Sequence, residues 1–329
     1  MTEKRAFLTA SLITIIATLT LIFIGGLVRA EGAGLGCPDW PKCFGLWIPP
    51  TSVDQIPPQF FEHHPDIKPA DFNAAQTYTE YVNRLVGVSI GFLILWTAWR
   101  GFKIRKLNKA AAICSAVAVL LVAYQGWLGG QVVKSRLTEW VVTSHMLLAI
   151  LILCFLIAAR VSAQDRTTSV MGQGSRIKSL ATGSALLLAS LAQALMGTRV
   201  RETVDYNNRI NPGVARDQWV NNLGNIDLLH RNFAILVLGI AVLLLLVIIR
   251  EKVVQPARTY GFWLIGIIAL QMVLGATLVN FAFPSVAQML HLTTGSATVC
   301  LAFFFVMHVA RVPVTRAEGL AATHATELS

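Results

Sequence analysis

The sequence predicts an all-α membrane protein: eight transmembrane helices arranged as two pseudo-symmetric four-helix bundles. Three observations lead there. Of 329 residues, 55% are hydrophobic and only 13% charged, against about 25% charged in soluble domains. Eight apolar runs approach the roughly 20 residues that a spanning helix needs. The polar residues that punctuate those runs repeat, in order, between the first and second halves of the chain.

The first run, about 7–28, is too long for a secretory signal core and has no convincing small-residue cleavage pattern, so it reads as a retained helix. The interval from Arg29 to Asn83 is 54 residues. Loops beyond about 12–15 residues are usually functional or disordered. This one carries Cys37 and Cys43, two Ile-Pro-Pro segments and Phe60-Phe-Glu-His-His-Pro65. Its aromatics, with Trp40 and Trp47, predict an ordered lid. Spans at about 80–99, 110–130 and 140–159 complete the first half, residues 1–165. A polar linker at 165–178, rich in Ser, Thr and Gly, opens the second half, residues 166–329. Its spans fall at about 180–199, 227–249, 260–281 and 286–310. The loop at 202–226 is the shorter counterpart of the first one and has no cysteine. An even number of spans separates the halves, so they should be related by an axis along the membrane normal.

Charge sets the orientation. Sixteen of the 27 Lys and Arg fall in the termini and alternate loops, from Lys4 and Arg5 through Arg100–Lys109 to Arg311 and Arg316. By the positive-inside rule both termini are cytoplasmic in a cell inner (plasma) membrane. The net charge of +10 is therefore a topology signal and calls for membrane lipid, not nucleic acid, as partner. Cys114, Cys154 and Cys300 fall inside spans as small packing residues. Cys37 and Cys43 face the oxidising side, where disulfides persist. They read as a structural disulfide, with a redox-active pair as the rival.

The repeated pattern carries the chemistry. Gly25-x-x-Val28-Arg29 is echoed by Gly197-x-x-Val200-Arg201, and Glu80-Tyr-Val-Asn83-Arg84 by Asp227-Leu-Leu-His230-Arg231. Gln125 precedes His145 by 20 residues, as Gln271 precedes His291. Each half thus brings two of these positions to similar depth near the outer face. Ionisable residues in a membrane persist where they pair, line a cavity or bind something. His230 and His291 suit the two axial positions of a low-spin heme iron, the heme metal ligands of a bundle core. There is no Cys-x-x-Cys-His for covalent attachment. Arg201 and Arg231 suit the propionates. Gly197 and Gly275 should let a flat macrocycle approach. In the first half a heme would have His145 on one side only, since Asn83 is a poor iron ligand. His63 or His64 is an alternative ligand from the loop. Arg29 and Arg84 stand where carboxylates would need them. Glu80 shares a helix face with Asn83 and is a candidate acid–base group, or else an ion-pair partner of Arg84. His308 lies on the wrong side and His324 in a polar tail; neither has an assigned role.

These residues resemble the heme A synthases. The likeness runs through Gly25-Gly-Leu-Val-Arg29, Gly36-Cys37-Pro-Asp-Trp-Pro-Lys-Cys43, Glu80-Tyr-Val-Asn-Arg84, Gly130-Gln-Val-Val, Ser144-His145, Gly197-Thr-x-Val-Arg201, Asp227-x-x-His230-Arg231 and Leu290-His291, in family order over residues 6–310. The resemblance implies a heme b between His230 and His291. It implies that heme O is the substrate of the N-terminal half, its methyl group oxidised through hydroxylation to the formyl of heme A for cytochrome oxidase. It also implies that Glu80 is essential and that Cys37 and Cys43 are the family's loop cysteines. Partners follow from it: heme O from a heme O synthase, and an electron donor the sequence leaves unnamed. A homo-oligomer is left open. The sequence departs from the family at Asn83, where many members have histidine. Two alternatives come from other classes: a diheme b-type, quinol-linked electron-transfer protein, and a heme-binding transporter or assembly chaperone.

Overall fold

The structure, a computed structural model, describes residues 2–211, 213–215, 218, 219 and 223–315; Arg316 and His324 lie outside the described residues. Helix α1 (Thr2–Ala30) leads into the first long loop, which holds the short α2 (Pro58–His63). Then come α3 (Ala74–Lys103), α4 (Lys109–Lys134), α5 (Glu139–Ala163), α6 (Gln173–Ile210), α7 (Asn225–Arg250), α8 (Ala257–Asn280) and α9 (Ser285–Ala310). Among the described residues eight helices, all but α2, are long and apolar enough to cross a membrane. Two-residue strands β1 (Met171–Gly172) and β2 (Val314–Thr315) pair in parallel.

Every expected span is present, and each helix outruns its apolar window at one end or both. Hydropathy marks only the hydrocarbon crossing, while on α3 and α4 an asparagine cap fixes where the helix starts. Asn73 accepts from the Gln76 N–H at 3.2 Å, and Asn108 from Ala111 N–H at 2.8 Å. The largest difference is α6, expected at 180–199 but running over Gln173–Ile210. Its polar end is sustained by pairs one turn apart, Arg199–Glu202 at 3.0 Å and Arg201–Asp205 at 2.9 Å. Its early start also shortens the expected linker.

Within the first half α1 packs on α3, α3 on α4, α4 on α5, and α5 against α1. Within the second, α6 packs on α7, α7 on α8, α8 on α9, and α9 against α6; α9 also lies against α1 and α5. One apolar cluster joins Ile15, Ile90, Ile94, Ala118 and Leu153–Val161 residues to Cys300. The other joins Leu186, Val237, Leu244, Ile248, Leu264, Ile268 and Phe305. On α3, α5, α7 and α9 these residues follow Asn83, His145, His230 and His291 in the chain. The close-packed core therefore occupies the far part of each span and leaves the polar positions near the long-loop ends.

Candidate functional site

The four repeat-related positions share one geometry. Each lies within the first three turns of its helix: Asn83 on α3, His145 on α5, His230 on α7, His291 on α9. Each faces a glycine on the preceding span. A Cβ at Gly129 would lie 3.2 Å from His145 Cε1, at Gly197 3.2 Å from His230 Cε1, and at Gly275 3.6 Å from His291 Cε1. At Gly25 it would lie 3.9 Å from Asn83 Oδ1. Gly197 and Gly275, expected to make room for a macrocycle, instead seat the imidazole edges. A glutamine tethers each histidine as well. Gln125, Gln193 and Gln271 donate through Nε2 to the carbonyls of His145, His230 and His291 at 3.0, 3.0 and 2.8 Å.

His145 Nδ1, His230 Nδ1, His291 Nδ1 and Asn83 Oδ1 are buried without a hydrogen-bond partner among the described residues. Buried polar groups are normally paired, so four unpaired atoms at four repeated positions point to a shared binding role. The ring centroids of His230 and His291 lie 6.4 Å apart, with their planes at 74°. A metal–imidazole bond of about 2 Å on either side of one ion would hold two centroids about 6 Å apart. The pair therefore fits an iron between its rings.

Glu80 and Arg84 are bound up with the first loop. Glu80 is buried, 4% exposed. Its Oε2 accepts from the Cys37 N–H at 2.8 Å, and its Oε1 pairs with Arg84. Arg84 further donates to the carbonyls of Cys37, Asp39 and Lys42 at 2.7, 2.8 and 2.9 Å. Arg84, expected near substrate carboxylates, is thus committed to the loop. Cys37 and Cys43 form a disulfide and are buried with Phe44, Ile56 and Phe60 in the loop's own apolar cluster. The loop is ordered around its phenylalanines, whereas Trp47, expected to pack with them, is 69% exposed. Gly36 lies so close to α3 that a Cβ there would come within 2.4 Å of the Gln76 carbonyl oxygen, while Thr77 donates to Gly36 O at 2.8 Å. Trp40 lies on Gly130 of α4, its ring 2.8 Å from where a Cβ would stand. His63 bonds the Gln59 carbonyl at the exposed surface of α2, and His64 stacks on Phe60 of the lid's apolar cluster.

Arg29 and Arg201, mates in the repeat, converge on Asp205 at 2.7 and 2.9 Å. Arg201 also donates to Gln288 and to the Arg29 carbonyl. This links α1, α6 and α9 across the two halves, and Thr143 of α5 adds a bond to the buried Glu202 of α6. Arg231, half exposed, pairs with Asp227 at 2.8 Å. His308 bonds the Phe304 carbonyl and Gln164 at the other end of α9. Sequence reasoning missed Asp205 and Gln193. Asp205 has no repeat mate, since the corresponding residue is Ala33. Gln193 stands 37 residues before His230, not 20, because a longer loop intervenes; its spacing to Gly197 was the usable signal.

The fold and site define a class: a multi-pass membrane protein with paired imidazoles near one end of its spans. The chain belongs to the COX15-CtaA family of cytochrome oxidase assembly proteins, which it matches over residues 9–304. It is 26% identical to a heme A synthase of Shewanella oneidensis over 83% of this chain and 87% of that protein. It is 27% identical to a heme A synthase of Beijerinckia indica over 82% and 84%. A heme A synthase of Orientia tsutsugamushi is 22% identical over 91% and 94%.

Proposed function

We propose that the protein is a heme A synthase, a membrane oxidoreductase that converts the methyl group of heme O to the formyl group of heme A. The family match over residues 9–304 carries this reading. The N-terminal half is the substrate half and the C-terminal half the electron-relay half; the closed packing order of the helices within each supports that division. Both termini are cytoplasmic in the inner membrane, as the basic loops argue.

His230 and His291 would hold a heme b, supported by their 6.4 Å ring spacing and unpaired Nδ1 atoms. A heme there would supply a one-electron redox centre. His145 holds the substrate iron from one side, with its imidazole seated on Gly129 and its carbonyl tethered by Gln125. Asn83, whose buried Oδ1 is unpaired among the described residues, would be a weaker ligand for that iron than an imidazole. Arg29 stands ready for propionates of the substrate and Arg201 for those of the C-terminal heme, each in exchange for its contact with Asp205. Arg231 does the same in exchange for Asp227 at the C-terminal heme. Glu80 acts as acid–base or charge-stabilising group, its carboxylate oriented by the Cys37 N–H and Arg84. The lid keeps water from the reacting edge. Heme O comes from a heme O synthase and enters from the lipid, where its apolar tail belongs.

The test is expression with a heme O source, followed by chromatography and mass analysis of extracted hemes. Heme A or a hydroxylated intermediate is expected. Heme bound but unaltered in a reducible preparation would sink the enzyme reading in favour of a heme carrier or electron-transfer protein.

A further inference from the structure

Three helices present the same two residues to the following span. Gln125 and Gly129 on α4, Gln193 and Gly197 on α6, and Gln271 and Gly275 on α8 are each a Gln-x-x-x-Gly. Residues four apart share a helix face. In all three cases the glutamine amide donates to the carbonyl of a histidine on the next span. The glycine lies against that histidine's Cε1. On α1 the corresponding residues are Leu21 and Gly25, facing Asn83. Where the histidine is absent, its glutamine is absent with it. The glycine alone remains, with a looser contact of 3.9 Å against 3.2–3.6 Å elsewhere.

We infer that Gln-x-x-x-Gly is a socket for an iron-ligating imidazole, and that Gln193 and Gln271 are positioning residues for the His230–His291 pair. The inference rests on the proposed heme between those histidines. Two contacts set each ring. The amide holds the histidine backbone at a fixed height, and the glycine lets the ring edge sit flush against the neighbouring helix, which limits its rotation. Gln193 also approaches His230 Nε2 itself, at 3.4 Å. Gln125 Oε1 and Gln193 Oε1 are buried without partners among the described residues, as are the Nδ1 atoms of His145 and His230. A glutamine serving only as helix glue would have no reason to track histidine at every position. Partners that orient a metal ligand typically change metal affinity 10–100-fold when removed. The socket also fixes the angle between the two rings, 74° in the structure. It further means that the repeated unit is the helical hairpin, present four times, with its first copy carrying leucine for the glutamine and asparagine for the histidine.

The experiment uses the purified full-length protein with its bound heme. Gln193→Leu and Gln271→Leu copy the residue that α1 carries, and Gly197→Ala adds the Cβ that would press on His230. Heme content, the low-spin ferric EPR signal and the midpoint potential are read together. Near-perpendicular imidazole planes give a strongly anisotropic signal. Each variant is expected to shift its g values and the potential, and to lower heme affinity about tenfold. Unchanged g values and potential in all three variants, with heme retained, would overturn the inference even if stability fell, because that is how glue behaves. In the first half, Leu21→Gln with Asn83→His should yield a second anisotropic low-spin signal sharper than Asn83→His alone. Identical signals from the two would count against the socket. His230→Ala and His291→Ala separate the two levels. If they keep the wild-type signal, the heme reading itself fails. If they lose it while the glutamine variants do not alter it, only the socket fails.

Discussion

Glu80→Gln distinguishes a chemical carboxylate from a structural one. The amide keeps an oxygen that can accept from the Cys37 N–H, now at 2.8 Å. It loses the charge facing Arg84, which is 16% exposed against 5% for Glu80. Hydrogen bonds to charged groups contribute about 1.5–3 kcal/mol. Arg84 keeps its three loop carbonyls, so the net loss should stand near the low end, about 2 kcal/mol. At about 1.4 kcal/mol per tenfold, that loosens the lid roughly 30-fold. The lid is read by the rate at which a membrane-impermeant reductant and alkylating agent label Cys37 and Cys43, and the chemistry by heme extraction. The expected result is loss of heme A at a labelling rate raised no more than that. Gly36→Ala is the comparator: it forces the lid off the α3 backbone, an overpacking that costs about 1–3 kcal/mol, and leaves Glu80 in place. Heme A at the wild-type rate from Glu80→Gln would refute the chemical role outright. Equal losses from both variants at equal labelling would show that Glu80 acts by holding the lid.

His230→Ala and His291→Ala should each abolish the low-spin spectrum while substrate-heme binding survives, and His145→Ala should do the reverse; titration of purified variants with heme reads both. Asp205→Asn removes the carboxylate shared by Arg29 and Arg201, each about a quarter exposed. Discounted for solvent, it should cost about 1 kcal/mol in thermal or denaturant unfolding and raise apparent affinity for porphyrin carboxylates. Replacing Cys37 and Cys43 by serine opens a ring closed over a separation of six residues. Chain entropy values so short a ring at about 2 kcal/mol; the low-spin signal of the second half should be unchanged, and its loss would contradict the confinement of the disulfide to the lid.

Much of this was legible in sequence because a membrane imposes length and hydropathy on every span. The positions of His145, His230 and His291 followed from the repeat, since duplicated helices keep polar residues at matched depth. Helix ends were less legible. The polar continuation of α6 to Ile210 depends on ion pairs and not on apolar length. Side-chain partners were least so. The sequence offers Arg84 to Glu80 or to a substrate carboxylate, yet three carbonyls of a loop more than 40 residues away also claim it. Gly197 and Gly275 could be flagged as places for close approach, but not what approaches. Only the folded hairpin shows the imidazole edges there.

Gly129 and Gly130 are consecutive residues of α4. One is pressed by the His145 ring, the other by the Trp40 indole. Successive residues of a helix differ by about 100° in facing, so a single turn of backbone receives the lid from one direction and the His145 imidazole from another. Any sideways displacement of that turn is transmitted to both. The lid and His145 are therefore not independent parts but two ends of a short lever whose fulcrum is two missing side chains. Lifting the loop off α4 would then also relax the seat of the His145 ring, and its return would restore that seat.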